Sequence, residues 1–269
     1  LKKTTRVSAA PQAAAHRIVS LAPSASSILW AIGAQRHVVG VTKWCADVAP
    51  VGRLPRVGDC WAGDVQDVAR LRPTLILGSV PFNPEMLARL LELGKPLLAM
   101  NPRSLQDIYD EIQLLGGITG RAAAAERVAG KMQRDLALLA EQAARRLPQK
   151  PMLRVYCEAW PNPRIASPPW VDELVRMAGA EPAVSGGQKV SDQDVARAKP
   201  DIIVLAWAAT GAKADLRRAF ENPVWRGVPA VRNRRVFVVR DELLNTPSPV
   251  LVQGFRALIA CLDAPPARS

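Results

Sequence analysis

Few residues in this chain have the type and spacing for covalent or acid–base chemistry. His16 and His37 are its two histidines, and Cys45, Cys60, Cys157 and Cys261 are its four cysteines, with no C-x-x-C pair among them. A zinc site draws on Cys and His ligands at close, recurrent spacing, so no metal site is expected. No G-x-S-x-G elbow occurs. With His16 in a leader and His37 just before a buried strand, a Ser-His-Asp triad has no base. Neither G-x-G-x-x-G after a strand nor G-x-x-x-x-G-K-S/T is present, which removes support for a bound nucleotide. No catalytic residue can be named, no resident cofactor is expected, and the chain reads as a binder rather than an enzyme.

The aromatic residues suggest what it binds with. Seven Trp stand against two Tyr and four Phe. Trp44, Trp61 and Trp160 fall on segments that read as loops following strands. In open α/β sheets ligands sit beyond the carboxyl ends of the strands. Trp there offers broad, rigid, apolar contact at low entropic cost. Cys45 and Cys60 each adjoin one of these residues. If their loop folds back on itself, their Cα atoms could meet the ~4.4–6.8 Å that a disulfide needs. Two free thiols packed as small hydrophobes is the favoured reading. A bridge would imply an oxidising compartment.

The elements that must position these residues are legible from an internal repeat. Gln66-Asp-Val-Ala-Arg-Leu-Arg-Pro73 precedes Thr74-Leu-Ile-Leu77, and Gln193-Asp-Val-Ala-Arg-Ala-Lys-Pro200 precedes Asp201-Ile-Ile-Val204. Each copy is a short helix ending at a basic residue, stopped by Pro, then an aliphatic strand. Around the first copy, strands are expected at 17–22, 38–41, 75–77 and 96–99. Helices are expected at 24–32, 84–93 and 104–115, the last stopped by Gly116-Gly117. An uninterrupted helical pattern runs from 121 to 147, about 27 residues or roughly 40 Å. After it come a strand at 154–157, helices at 170–177 and 192–198, strands at 202–205 and 236–239, and a last helix at 249–262. Strands alternating with helices argue for parallel sheets. The fold class is α/β: two lobes with parallel sheets, joined by one long helix, with a cleft between them. Residues 1–16 read as a mobile leader, 17–120 as the first lobe, 121–148 as the connecting helix and 149–269 as the second lobe.

Composition agrees with a chain that folds around a core. Of 269 residues 49% are hydrophobic and 22% charged, and no apolar run is long enough to span a membrane. The net charge of +12 comes from scattered Lys and Arg. Aromatics, at 5%, are not interleaved with the basic clusters, so the charge reads as a solvated surface and nucleic acid is not an expected partner. A monomer is expected.

Arg17-Ile-Val-Ser-Leu-Ala-Pro-Ser24, Val39-Gly-Val41, Leu54-Pro-Arg-Val57 and the two D-V-A-R-x-[KR]-P segments resemble the helical-spine (class III) substrate-binding proteins of ABC importers. Glu158-Ala-Trp-Pro-Asn-Pro163, Trp170-Val-Asp-Glu-Leu174, Ala178-Gly179 and Asn233-Arg-Arg-Val236 are similar to the cobalamin-binding branch. The resemblance implies two Rossmann-like lobes on a rigid spine. Between them they would hold a corrinoid, or alternatively a ferric siderophore or heme, without chemistry. It places Trp61 against the corrin and Ser24 and Trp44 on the same side. Glu158, Trp160 and Asn162 would form the facing edge, with Asp241 and Asn245 on a further cleft loop. It also implies an ABC permease partner and a periplasmic or extracytoplasmic site. At the two docking positions, where the family carries Glu, this chain has Gln66 and Gln193, which weakens that pairing. Ser27, Val250 and the lack of an aromatic near Gly186-Gly187 are further departures. A stand-alone cytosolic protein using the same fold is the alternative.

Overall fold

The structure is a computed structural model that describes residues 16–146 and 152–265. The first lobe comprises β1 (Ile18–Ser20), α1 (Pro23–Ala31), β2 (Val38–Val41), α2 (Val65–Arg70), β3 (Leu75–Ser79), α3 (Pro84–Glu92), β4 (Leu97–Met100) and α4 (Leu105–Ile118). Its four strands are all parallel, in the order β2-β1-β3-β4. The spine α5 (Ala122–Arg146) follows. The second lobe comprises β5 (Arg154–Pro161), β6 (Arg164–Ala166), α6 (Pro169–Met177), β7 (Glu181–Pro182), α7 (Asp192–Ala198), β8 (Ile202–Leu205), α8 (Arg217–Phe220), α9 (Pro229–Arg232), β9 (Val236–Val238), α10 (Asp241–Leu244) and α11 (Leu251–Asp263). Its order is β6-β5-β8-β9, with β7 pairing β5. The α/β fold of two lobes with parallel sheets is as the sequence indicated.

The repeat has the same meaning in both lobes. Asp64 caps α2 and Ser191 caps α7, each accepting from a backbone N–H of the first turn. Arg72 and Lys199 then turn the chain through the same left-handed conformation, φ 46° in each, before Pro73 and Pro200. The strands that follow occupy equivalent places: Ile18 pairs with Leu75, and Val155 with Ile202.

Two expectations are corrected. Helix α4 does not stop at Gly116-Gly117 but runs through both to Ile118. Gly116 serves packing there: a Cβ on it would lie 2.3 Å from the Ala125 Cβ of α5. In the second lobe β5 does not end at Cys157. It continues to Pro161 and turns back as the antiparallel strand β6. β5 and β6 are cleft-edge structure that the Pro-Asn-Pro sequence had suggested was loop.

The spine buries Ala125, Ala129, Met132, Leu136, Leu139 and Ala143, alternating four and three residues apart along one face. These belong to one continuous hydrophobic cluster with Ile18 and Leu77 of the first sheet and Val155, Val204 and Phe255 of the second lobe. Leu136 alone, fully buried, contributes about 1.5–3 kcal/mol. Both sheets are thereby held to one rod. Among the described residues no helix is long and apolar enough to cross a membrane.

Candidate ligand-binding site

Parallel strands leave their C-terminal ends on one side of each sheet, and the loops from those ends enclose a cavity of about 1540 Å³. The first lobe contributes Leu21, Ala22 and Pro23 after β1, Ser79, Val80 and Pro81 after β3, and Trp44, Asp47, Asp59, Cys60 and Trp61 from the stretch after β2. The second lobe contributes Ala159, Trp160, Pro163 and Ile165 from the β5–β6 hairpin, the segment Ala208 to Lys213, and Arg240, Asp241, Glu242 and Thr246.

The tryptophans are held in place by specific bonds. Asp59 organises the first-lobe loop: its Oδ1 accepts from the backbone N–H of Trp61 and Ala62, each at 2.9 Å, and its Oδ2 from Trp44 Nε1 at 3.1 Å. Lys43 Nζ stands 4.3 Å from the centroid of the Trp44 ring. Trp61 leaves 58% of its surface exposed and Trp160 41%. Trp160 Nε1 donates to the carbonyl of Asn162 at 2.8 Å. Asp241 accepts from the backbone N–H of Gly211 at 3.0 Å and Ala209 at 3.2 Å, tying α10 to the neighbouring wall. Burial raises its carboxyl above the ordinary carboxylate range, against those bonds.

Of the residues singled out from the sequence, Trp44, Trp61, Trp160 and Asp241 line the cavity; Ser24, Glu158, Asn162 and Asn245 do not. Ser24 is buried within α1. Glu158 is wholly buried beneath the hairpin, paired with Arg164. Asn162 meets the edge only through its carbonyl, and Asn245 Nδ2 donates to the Ala206 carbonyl at 2.6 Å. Asp47, Asp59, Lys213 and Arg240 were missed from the sequence. Isolated charged residues in loops carry no signal without the sheet that gathers them.

Cys45 and Cys60 are free and buried, as are Cys157 and Cys261, so the disulfide considered from the sequence is not formed. The Cys60 thiol contacts the Leu21 carbonyl at 3.6 Å, and burial pushes its pKa up to about 11. Four thiols are expected to react once the protein is unfolded without reductant; two would show a bridge between Cys45 and Cys60.

Two lobes around a large, mostly apolar cleft have the form of a ligand-binding protein. The chain belongs to the Periplasmic binding protein family, whose model matches residues 18–243. Members of that family bind substrate and are not enzymes. The chain is 27% identical over 252 residues to an uncharacterized ABC transporter substrate-binding lipoprotein of Bacillus subtilis, covering 90% of this chain and 78% of that protein. It is 26% identical over 243 residues to the vitamin B12-binding protein of Vibrio cholerae, covering 87% and 84%. The fold is shared with a periplasmic heme-binding protein of Pseudomonas aeruginosa, at a TM-score of 0.80 and 23% identity over 94% of this chain and 95% of that one.

Proposed function

We propose that this protein captures a corrinoid in the cleft and delivers it to an ABC importer from an extracytoplasmic position. The observation that carries the reading is the placing of Trp44, Trp61 and Trp160, from both lobes, on one cavity of about 1540 Å³. Ordinary small-molecule pockets are about 300–1,000 Å³, so the ligand is large, and rigid aromatic walls suit a flat, partly apolar one. Corrinoid binding is supported by the vitamin B12-binding relatives and by the composition of the walls. Heme iron takes a His, Tyr, Met or Cys thiolate ligand. Among the described residues no His, Tyr or Met lines the cavity, and the Cys60 thiol is buried against the Leu21 carbonyl. Asp47, Asp59, Asp241 and Glu242 against Lys213 and Arg240 also oppose the anionic side chains of heme.

Calorimetric titration with cobalamin, cobinamide, heme and ferric hydroxamates tests this. One corrinoid per chain, with quenching of Trp fluorescence, is expected. Heat from heme or a hydroxamate and none from any corrinoid would sink the assignment.

Delivery requires docking. Gln66 and Gln193 are exposed on the first turns of α2 and α7, the ends of those helices nearest the cleft. Asp67 and Asp194 are engaged by Arg70 and Arg197 on their own helices, so neither is free to replace a docking Glu. Gln66→Glu with Gln193→Glu is therefore expected to tighten binding to the cognate permease in detergent. Restoring one desolvated charge pair is worth roughly 2–5 kcal/mol at most, and a rim pair about 0–1. Unchanged affinity would place docking on other groups.

A further inference from the structure

The charged residues on the cavity wall are not equally free. Six line it: Asp47 and Asp59 from the first lobe, and Lys213, Arg240, Asp241 and Glu242 from the second. Four of these are already engaged. Asp59 accepts from two backbone N–H groups and from the Trp44 indole. Asp241 accepts from the backbone of Ala209 and Gly211. Arg240 and Glu242 pair with each other. Asp47 and Lys213 remain, both exposed, and among the described residues neither is in an ion pair. The cavity therefore offers one free anion, on the first lobe, and one free cation, on the second.

Lys213 ends a segment that is built to hold it at the wall. Ala208 to Lys213 follows β8, and every residue of it lines the cavity. The Ala208 N–H donates to the Ala159 carbonyl of β5 at 2.9 Å, and the Thr210 hydroxyl to the Trp207 carbonyl at 2.6 Å. Trp207 is itself anchored on the buried Glu158. Ala209 and Gly211 both take left-handed backbone conformations, φ 64° and 56°. Alanine is costly there, and the bonds from Asp241 to the N–H groups of these two residues hold it in place. The Lys213 N–H then closes the turn on the Thr210 carbonyl at 3.0 Å. The backbone under Lys213 is fixed, and its ammonium is left without a carboxylate among the described residues.

We propose that Lys213 is an anion subsite of the cleft. On the corrinoid reading above, on which this rests, it takes the phosphodiester of the nucleotide loop and so selects complete cobalamin over cobinamide. An ammonium on a flexible stem is a compact charge with three donors, suited to a phosphate oxygen. The phosphodiester carries one negative charge, which one unpaired cation balances. Cobinamide lacks the phosphodiester and the base but keeps the corrin ring with its amide side chains. The pairing also orients the ligand. Its nucleotide loop lies along the second-lobe wall at Lys213, and ring-edge amides face Asp47, an acceptor for their N–H groups.

Calorimetric titration of the full chain with cyanocobalamin and with dicyanocobinamide tests it. The wild type is expected to bind cyanocobalamin about tenfold more tightly, the scale of one charge-assisted hydrogen bond. That preference should shrink between about 50 and 500 mM NaCl, as an exposed pair is screened. Lys213→Gln should bring the ratio of the two affinities close to one, and Lys213→Arg should keep it. Arg240→Gln removes a cation that already has a partner, so it should shift both affinities together. Circular dichroism checks the fold of each variant. Cobinamide bound as tightly as cyanocobalamin by the wild type, or a preference that survives Lys213→Gln, would overturn the proposal and leave the corrinoid reading standing. Loss of the preference in Arg240→Gln rather than in Lys213→Gln would move the anion to the other cation and overturn it equally. Heat from neither corrinoid would end both.

Discussion

Arg164→Met is expected to destabilise the protein by about 3–5 kcal/mol, because it strands a carboxylate in the core. Glu158 has no solvent exposure. Its two oxygens accept from Arg164 Nη1 at 2.8 and 3.0 Å, from Tyr156 Oη at 2.8 Å and from Trp207 Nε1 at 2.8 Å. Burial first, and Glu158 second, raise the Tyr156 hydroxyl far above its ordinary range, so it remains a donor. Arg164 also pairs with Asp192 at the start of α7 and lies 4.2 Å over the Trp225 ring, whose Nε1 donates to the Asp192 carbonyl. Removing the guanidinium leaves a buried anion with two neutral donors and takes a stacking partner from Trp225. Glu158→Gln/Arg164→Met removes both charges while the amide keeps an acceptor, so most of the loss is expected to return. Urea midpoints at constant m-value decide it. A double variant no more stable than Arg164→Met would mean that packing, not the unpaired charge, carries the effect. Pro163 and Ile165, on either side of Arg164, line the cavity, so the single variant is also expected to loosen the ligand edge.

That network shows where sequence reading stops. The second copy of the repeat was legible to the residue: α7 at Asp192–Ala198 and β8 at Ile202–Leu205 match the pattern of cap, apolar spacing and Pro. Those signals are local, and local energetics set those boundaries. Glu158 shows the opposite case. Glu158 and Trp160 stand two apart in a strand, and simple alternation puts both side chains on one face. The pairing of β5 with β6 is irregular between them, and one such irregularity re-aims the residues beyond it. Trp160 therefore meets the cavity while Glu158 turns to the core. The short helices α8, α9 and α10 and the two-residue β7 were equally hidden. They are too brief for a period and exist because the sheet beneath them is already formed. Gly116 misled for a related reason. Its effect on helix propensity is visible in the sequence, and its close approach to Ala125 is not.

Trp61→Ala is expected to lower affinity for the proposed corrinoid by about 10–100-fold with little change in stability. A central aromatic anchor is commonly worth 2 kcal/mol or more in binding. Trp61 is the most exposed of the three cleft tryptophans, so its side chain contributes little to the core that holds the lobe together. The loop beneath it should survive truncation. Asp59 holds the Trp61 and Ala62 amides, not the indole. The loop also crosses itself tightly, since a Cβ on Gly58 would lie 2.3 Å from the Gly63 Cα. Asp59→Ala therefore makes an informative contrast. It frees the loop and removes the acceptor of Trp44 Nε1, so it should lower both affinity and melting temperature. Trp160→Ala tests the facing wall, where the indole donates to the Asn162 carbonyl. If the ligand spans the cleft, the Trp61 and Trp160 losses add, because the residues stand on different lobes without a shared partner. Calorimetry on the three variants, with thermal melts beside it, gives the answer. An unchanged dissociation constant in Trp61→Ala would place the bound ligand away from the first-lobe loop.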